Sequence, residues 1–170
     1  EFLKEMYEKR RDWDKLIDVF RRELALTPDP DSRLEGYKNA ARMATENIRD
    51  PDPGIELWNE ALKRAPRDLE AIDNLKALYE KKRDYEALAT ILERRVRLLD
   101  DDAEKMKTYQ TLGMLLSDRV QDPDRAIKAW QGALRLDPDD LKARKSVERL
   151  YVEQKRWEEL EMPYASSGAY

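Results

Sequence analysis

The sequence lacks the residue types on which many catalytic and metal sites depend. It contains no cysteine and no histidine, which excludes disulfides and thiolate ligands and removes the commonest general base. No apolar run approaches the roughly 18 residues of a membrane span, and the N-terminal residues do not resemble a signal peptide, which favours a cytoplasmic location. The five glycines are scattered and form no phosphate-binding loop. We therefore expect no enzymatic activity, no metal site and no cofactor.

The chain also lacks an excess of charge of one sign. Its 170 residues include 33 lysines and arginines against 37 aspartates and glutamates, a net charge of −4. Disorder requires low hydrophobicity together with high net charge, so this balance favours a folded chain. A pI near 5.2 argues against a dedicated nucleic-acid binder, which usually has a basic face. With 41% charged residues, the composition favours thin layers of helix with large solvated faces.

The sequence repeats itself at an interval of 72 residues. Trp13, Tyr85 and Trp157 follow this interval, as do Trp58 and Trp130. Further pairs at the same interval are Tyr79 and Tyr151, Ala61 and Ala133, Pro66 and Pro138, and Asp50 and Asp122. Each period divides into two halves of about 36 residues, which is the length of one helical hairpin.

The spacing of the apolar residues is helical throughout and predicts an all-α protein. The predicted helices are 1–10, 13–26, 32–48, 53–64, 68–82, 85–98, 102–120, 124–136, 140–154 and 157–162. The eight prolines fall at boundaries of this map. The acidic run 100–102 suits the N-terminus of the following helix. Calcium binding there is the alternative, but no EF-hand spacing follows the run.

One set of small and aromatic residues recurs within this period and resembles the tetratricopeptide repeat. The set is Leu112, Gly113, Ala126, Trp130, Ala133 and Pro138, and again Ala40, Ala41, Trp58, Ala61 and Pro66. The resemblance implies an α-α superhelix, a right-handed solenoid of about nine to ten helices over residues 1–162. Its hairpins would be 1–28, 31–66, 67–100 and 102–138, with a partial one at 139–162 and an irregular tail at 163–170.

The hairpins 1–28, 67–100 and 139–162 depart from this pattern. Lys4, Lys76 and Glu148 stand where the family has a small residue, and Glu23 and Arg95 replace its second alanine. These units are equally similar to half-a-TPR repeats. Since such repeats occur in RNA-associated modules, an RNA-associated function is one alternative for this chain.

The resemblance implies a non-catalytic protein–protein interaction scaffold that binds a peptide or helix of a partner in its concave groove. The first helix of each hairpin would line this groove. Some family members grip a peptide C-terminus with a carboxylate clamp, and the corresponding positions here are Lys38, Arg42, Asn74, Lys107 and Thr111. Three of these five positions match the clamp, and a chance match of exposed polar residues is the alternative.

Self-assembly within a longer repeat protein is a further alternative. The first and last hairpins are incomplete, which favours a fragment of a longer array. Incomplete ends expose apolar stripes, such as Phe2 with Met6 and Leu150 with Trp157, and a neighbouring chain would cover them. The chain would then form homo-oligomers through these ends.

Overall fold

The structure, a computed structural model, describes residues 1–154 and is helical throughout them, without a β-strand. The helices are α1 (Phe2–Lys9), α2 (Trp13–Leu26), α3 (Pro30–Asn47), α4 (Asp52–Arg64), α5 (Leu69–Lys82), α6 (Tyr85–Leu98), α7 (Asp102–Leu115), α8 (Pro123–Leu136) and α9 (Leu141–Glu153). The predicted all-α class is confirmed for this part of the chain. The predicted helix 157–162 and the tail 163–170 lie outside the described residues. No helix of residues 1–154 combines the length and the apolar character needed to cross a bilayer.

Aspartate side chains start most of these helices. Each accepts a hydrogen bond from the backbone N–H three residues later and so satisfies one of the free donors of the first turn. The capping aspartates are Asp12, Asp29, Asp68, Asp84, Asp101 and Asp122. Asp101 belongs to the acidic run 100–102, and its carboxylate accepts from Glu104 N at 2.9 Å. The prediction that this run caps a helix is therefore confirmed.

The turns before α2 and α6 use the same backbone geometry at the 72-residue interval. Arg11 and Arg83 adopt left-handed conformations, with φ of 53° and 61°. This region is unusual for residues other than glycine, but as a single residue it ends a helix sharply. Each arginine is followed by the aspartate that caps the next helix, so the chain reverses direction within two residues.

A π-helical turn at Leu116–Val120 follows α7, where the sequence predicted a continuous helix over 102–120. The turn ends at Gln121, which has φ of 58°, and Asp122 N donates to Leu116 O at 2.9 Å. Such a turn accommodates one residue more than an α-turn. In the corresponding part of the first period, α3 ends at Asn47 with no π-helical turn.

By its internal contacts the chain divides into two compact units, the first of residues 1–91 and the second from Leu92 onward. In the first unit, α1 packs on α2, α2 on α3, α3 on α4 and α4 on α5. Its core includes Trp58, which is 0% exposed, between the small residues Ala41 and Ala61 of α3 and α4. Small residues let the helix axes approach, and the indole fills the remaining space.

The second unit repeats this packing with the pairs α7 on α8 and α8 on α9. Trp130 is 1% exposed, and Ala126 and Ala133 of the same helix are fully buried. The prediction that Trp58 and Trp130 are core residues is therefore confirmed. An ideal Cβ on Gly113 of α7 would lie 2.4 Å from Trp130 Cε2, so α7 approaches the indole more closely than any other residue type would allow.

Candidate functional site

Exposed apolar side chains concentrate on the first helix of each predicted hairpin, that is α1, α3, α5, α7 and α9. We call the solvent-facing residues of these helices the first-helix surface. Seven large apolar side chains are exposed in the described residues. Six lie on first helices and one, Leu26, ends a second helix. The six are Phe2, Leu3, Leu69, Met114, Leu141 and Val152. Within residues 30–154, α4, α6 and α8 expose none, so the first-helix surface is the more adhesive one.

In the first unit, three predicted clamp residues contact a single glutamate of the same chain. The Arg42 guanidinium donates from Nε and Nη2 to both carboxylate oxygens of Glu70, at 2.8 Å and 2.7 Å. Lys38 Nζ lies 2.9 Å from Glu70 Oε1 and 2.7 Å from Asp68 Oδ2. Asn74 Nδ2 donates to the backbone carbonyl oxygen of Glu70 at 2.8 Å. A carboxylate thus occupies these cationic groups, and it belongs to Glu70 of the chain itself.

This cluster shifts the acid–base equilibria of its members. The Arg42 and Lys38 side chains, as hydrogen-bond donors, lower the pKa of Glu70 to about 2. The carboxylates of Asp68 and Glu70 raise the pKa of Lys38 above its usual value, and Glu70 raises the pKa of Arg42. All members are therefore ionised at neutral pH, which keeps the cluster closed.

The exposure of Lys38 differs from what the sequence predicted. The clamp assignment assumes exposed side chains, but the Lys38 side chain is only 14% exposed. Asp68 and Glu70 hold it along the surface between α3 and α5. No sequence pattern singles out Glu70 as a partner, because the acidic residues of an exposed face have no fixed spacing relative to the basic residues of a neighbouring helix.

The two remaining predicted residues, Lys107 and Thr111, lie one turn apart on α7 of the second unit and are exposed. The first unit has Glu35 and Asn39 at the same positions of its period. Whether the five predicted residues bind a partner carboxylate stays a prediction.

The second unit keeps the position of one of these contacts but changes its chemistry. Gln110 Nε2 of α7 donates to Asp140 Oδ2, at the start of α9, at 3.1 Å. Gln110 and Asp140 are 72 residues after Lys38 and Asp68. The side chains of α7 and α9 therefore meet as those of α3 and α5 do. At the positions of Arg42 and Glu70, the second unit has Met114 and Lys142.

A groove of about 470 Å³ in the first unit lies along α2, α3 and α4 and includes Glu56 and Glu60 in its lining. Arg21 pairs with Glu56 at 2.7 Å, and Arg64 pairs with Glu60 at 2.9 Å. Hydrogen bonds from Arg64 and Lys63 lower the pKa of Glu60. A general acid needs a raised pKa, so Glu60 is poorly suited to acid–base chemistry.

The residues of the described chain offer no cluster of three acidic side chains that could hold a metal ion. The chemistry of the first-helix surface in residues 1–154 is thus that of ion pairs, amides and exposed apolar groups. Such groups can bind another polypeptide without reacting with it.

Comparison with known proteins gives a family match and several structural neighbours. A tetratricopeptide repeat model matches residues 1–34 and 71–106. No curated protein matches the chain in sequence. A crystal structure of MamA is 18% identical with a TM-score of 0.48, covering 90% of this chain and 85% of MamA. The Cut9-Hcn1 structure of the APC/C is 18% identical with a TM-score of 0.40, covering 88% of this chain and 28% of that one.

A mutant O-GlcNAc transferase of Thermobaculum terrenum is 25% identical with a TM-score of 0.40, covering 74% of this chain and 23% of the transferase. Because these TM-scores are low, the family assignment rests on the matched segments and on the repeat pattern. The matched segments begin in α1 and α5, the hairpins in which charged residues replace the small ones. The hairpins of Trp58 and Trp130 carry the family pattern in their own residues. The chain therefore belongs to the tetratricopeptide repeat family, whose fold generally mediates protein–protein interaction.

Proposed function

We propose that this chain is a non-catalytic scaffold that binds an extended peptide or a helix of a partner protein on its first-helix surface. The observation that carries the proposal is the distribution of exposed apolar side chains. Six of the seven large ones in residues 1–154 lie on first helices. Apolar side chains surrounded by polar ones are typical of the contact patches of protein interfaces.

The chemistry of the surrounding residues agrees with this function. The chain has neither histidine nor cysteine, and the carboxylates of Glu56, Glu60 and Glu70 are engaged by basic side chains. The proposal also includes Lys38, Arg42, Asn74, Lys107 and Thr111 as contacts for a partner. In the first unit, a partner carboxylate would have to displace Glu70 before it could reach Arg42.

Selection from a random peptide library displayed on phage, with the immobilised protein as bait, tests the proposal. We expect selected peptides to lose at least about tenfold in affinity for the variant Met114→Glu/Leu141→Glu, because it places carboxylates in an apolar contact. Both side chains are exposed, so the fold should survive.

The matched control is Lys128→Glu/Arg135→Glu on α8, which also changes two exposed residues to glutamate. Its affinity for the selected peptides should stay within about twofold of that of the unmodified protein. The proposal fails if the library gives no binder, or if the α8 variant loses as much affinity as the variant of α7 and α9.

A further inference from the structure

The side of the second unit formed by α7 and α9 carries positive charge without counter-ions. We define the α7–α9 face as Lys107, Met114, Leu141, Lys142 and Lys145. The three lysines are exposed, and within residues 1–154 none has a carboxylate within ion-pair distance. The ion pairs on α9 are instead Arg144 with Asp139 and Arg149 with Glu153.

The corresponding face of the first unit has the opposite charge. The positions 72 residues before Lys107, Lys142 and Lys145 hold Glu35, Glu70 and Asp73. Three acidic positions of the first unit are thus basic in the second, and the basic Lys38 and Arg42 become the uncharged Gln110 and Met114. The Arg42–Glu70 bridge that closes the first face has no counterpart between Met114 and Lys142.

The α7–α9 face also exposes apolar groups next to its lysines. Met114 is 39% exposed and Leu141 is 61% exposed. Two carboxylates adjoin the face. Asp140 caps α9 and accepts from Gln110 at 3.1 Å, and Glu148 is exposed one turn beyond Lys145. With three lysines, the face keeps a positive charge even after both carboxylates are counted.

We propose that the α7–α9 face is a docking surface for an acidic segment of a partner protein that also carries aliphatic side chains. This inference rests on the proposed scaffold function and assigns the partner's chemistry and the unit that binds it. Glutamate or aspartate side chains would pair with the three free lysines, and aliphatic groups would cover Met114 and Leu141. Complementary charge would increase the association rate and select against basic partners.

A single-stranded RNA also carries negative charge, but the face lacks what RNA recognition uses. Proteins bind unpaired bases largely by stacking them on aromatic side chains. The face has aliphatic groups in these positions, and the ring of Tyr109, the aromatic residue of α7, packs against Gly132 of α8. An acidic polypeptide therefore fits the face better than an RNA strand.

Fluorescence anisotropy with a labelled peptide tests the inference. The probe is a soluble peptide of interleaved glutamate and leucine, and its counterpart has glutamine in place of every glutamate. We expect the unmodified protein to bind the acidic probe at low salt and to bind the glutamine peptide at least about tenfold more weakly. The variant Lys142→Glu/Lys145→Glu should also bind the acidic probe at least about tenfold more weakly, because two attractions become repulsions.

The control is again Lys128→Glu/Arg135→Glu, which changes the net charge by the same amount on α8. Its affinity for the acidic probe should stay within about twofold of that of the unmodified protein. An equal loss in both variants would mean that net charge alone governs binding and would overturn the inference. Circular dichroism verifies folding, and if the glutamate variant unfolds, Lys142→Gln/Lys145→Gln replaces it with the same expected direction.

Two further results would overturn the inference by identifying another occupant. The first is tighter binding of a labelled single-stranded RNA than of the acidic peptide, abolished by the same α9 variant. The second is a dimer in sedimentation velocity that Lys142→Glu/Lys145→Glu dissociates. If library-selected peptides contact Met114 and Leu141 but are not acidic and do not respond to the α9 variant, this inference fails while the scaffold function stands.

Discussion

The substitution Gly113→Ala sets helix propensity against packing. Alanine in place of glycine inside a helix stabilises by about 1 kcal/mol. Here an ideal Cβ would lie 2.4 Å from Trp130 Cε2 and 2.6 Å from Nε1. The indole is rigid and 1% exposed, so it can withdraw only by moving α8. Overpacking of this kind costs about 1–3 kcal/mol and occasionally more. Because the contacts fall so far below van der Waals distance, we expect a net destabilisation of about 1–2 kcal/mol.

Urea unfolding followed by circular dichroism measures this change as a lower midpoint with an unchanged m-value. The control is Gly36→Ala in α3, where the Cβ would lie 2.2 Å from Leu24 Cδ2 but 3.4 Å from the next atom. The end of a leucine side chain can rotate away, so this variant should be neutral or up to about 1 kcal/mol more stable. A Gly113→Ala protein as stable as the unmodified one, or more stable, would refute the close approach of α7 to Trp130.

The remaining predictions concern single hydrogen bonds and one ion pair. Thr45→Ala should cost about 1–3 kcal/mol in chemical denaturation, because Trp58 Nε1 donates to Thr45 Oγ1 at 2.9 Å and would stay buried without an acceptor. The matched Ser117→Ala should cost under about 0.5 kcal/mol, since Ser117 Oγ donates only to a helical carbonyl oxygen, that of Gly113; equal losses would contradict this reasoning. The pKa of Glu70 falls from 4.5 to about 2, so its stabilisation is present above pH 4.5 and is lost as the pH falls towards 2. Glu70→Gln should remove this part of the acid dependence of Tm, about 1 kcal/mol or less because the side chain is 38% exposed, and an unchanged acid profile would contradict the assignment.

The core of this fold could be predicted because its residues recur at a fixed interval. Trp58 and Trp130 occupy equivalent positions, and a large ring that returns among small residues points to a shared packing site. The π-helical turn before Asp122 could not be predicted in this way. The segments before Asp50 and Asp122 have the same length, but one leaves α3 as a short loop and the other continues α7 as a wider turn. That choice depends on tertiary packing around the helix end.

The candidate surface could be predicted in position but not in state. The interval placed Lys38 and Arg42 on a first helix, and the structure shows them there. Their closure by Glu70 depends on which long side chains meet across two helices, and several alternatives have similar spacing. The signal that sequence comparison within the chain did contain is the change from Glu70 to Lys142 at one interval, which marks where the two faces differ in charge.

Hydrogen–deuterium exchange of the protein with a library-selected peptide tests the central claim most directly. The account predicts slower exchange on peptide binding in α7 and α9, which carry Met114 and Lys142, and unchanged exchange in α4 and α8. Protection confined to α3 and α5 would contradict the assignment of the binding face to the second unit. Protection confined to the second helices α4, α6 and α8 would contradict the first-helix surface as the site of partner binding.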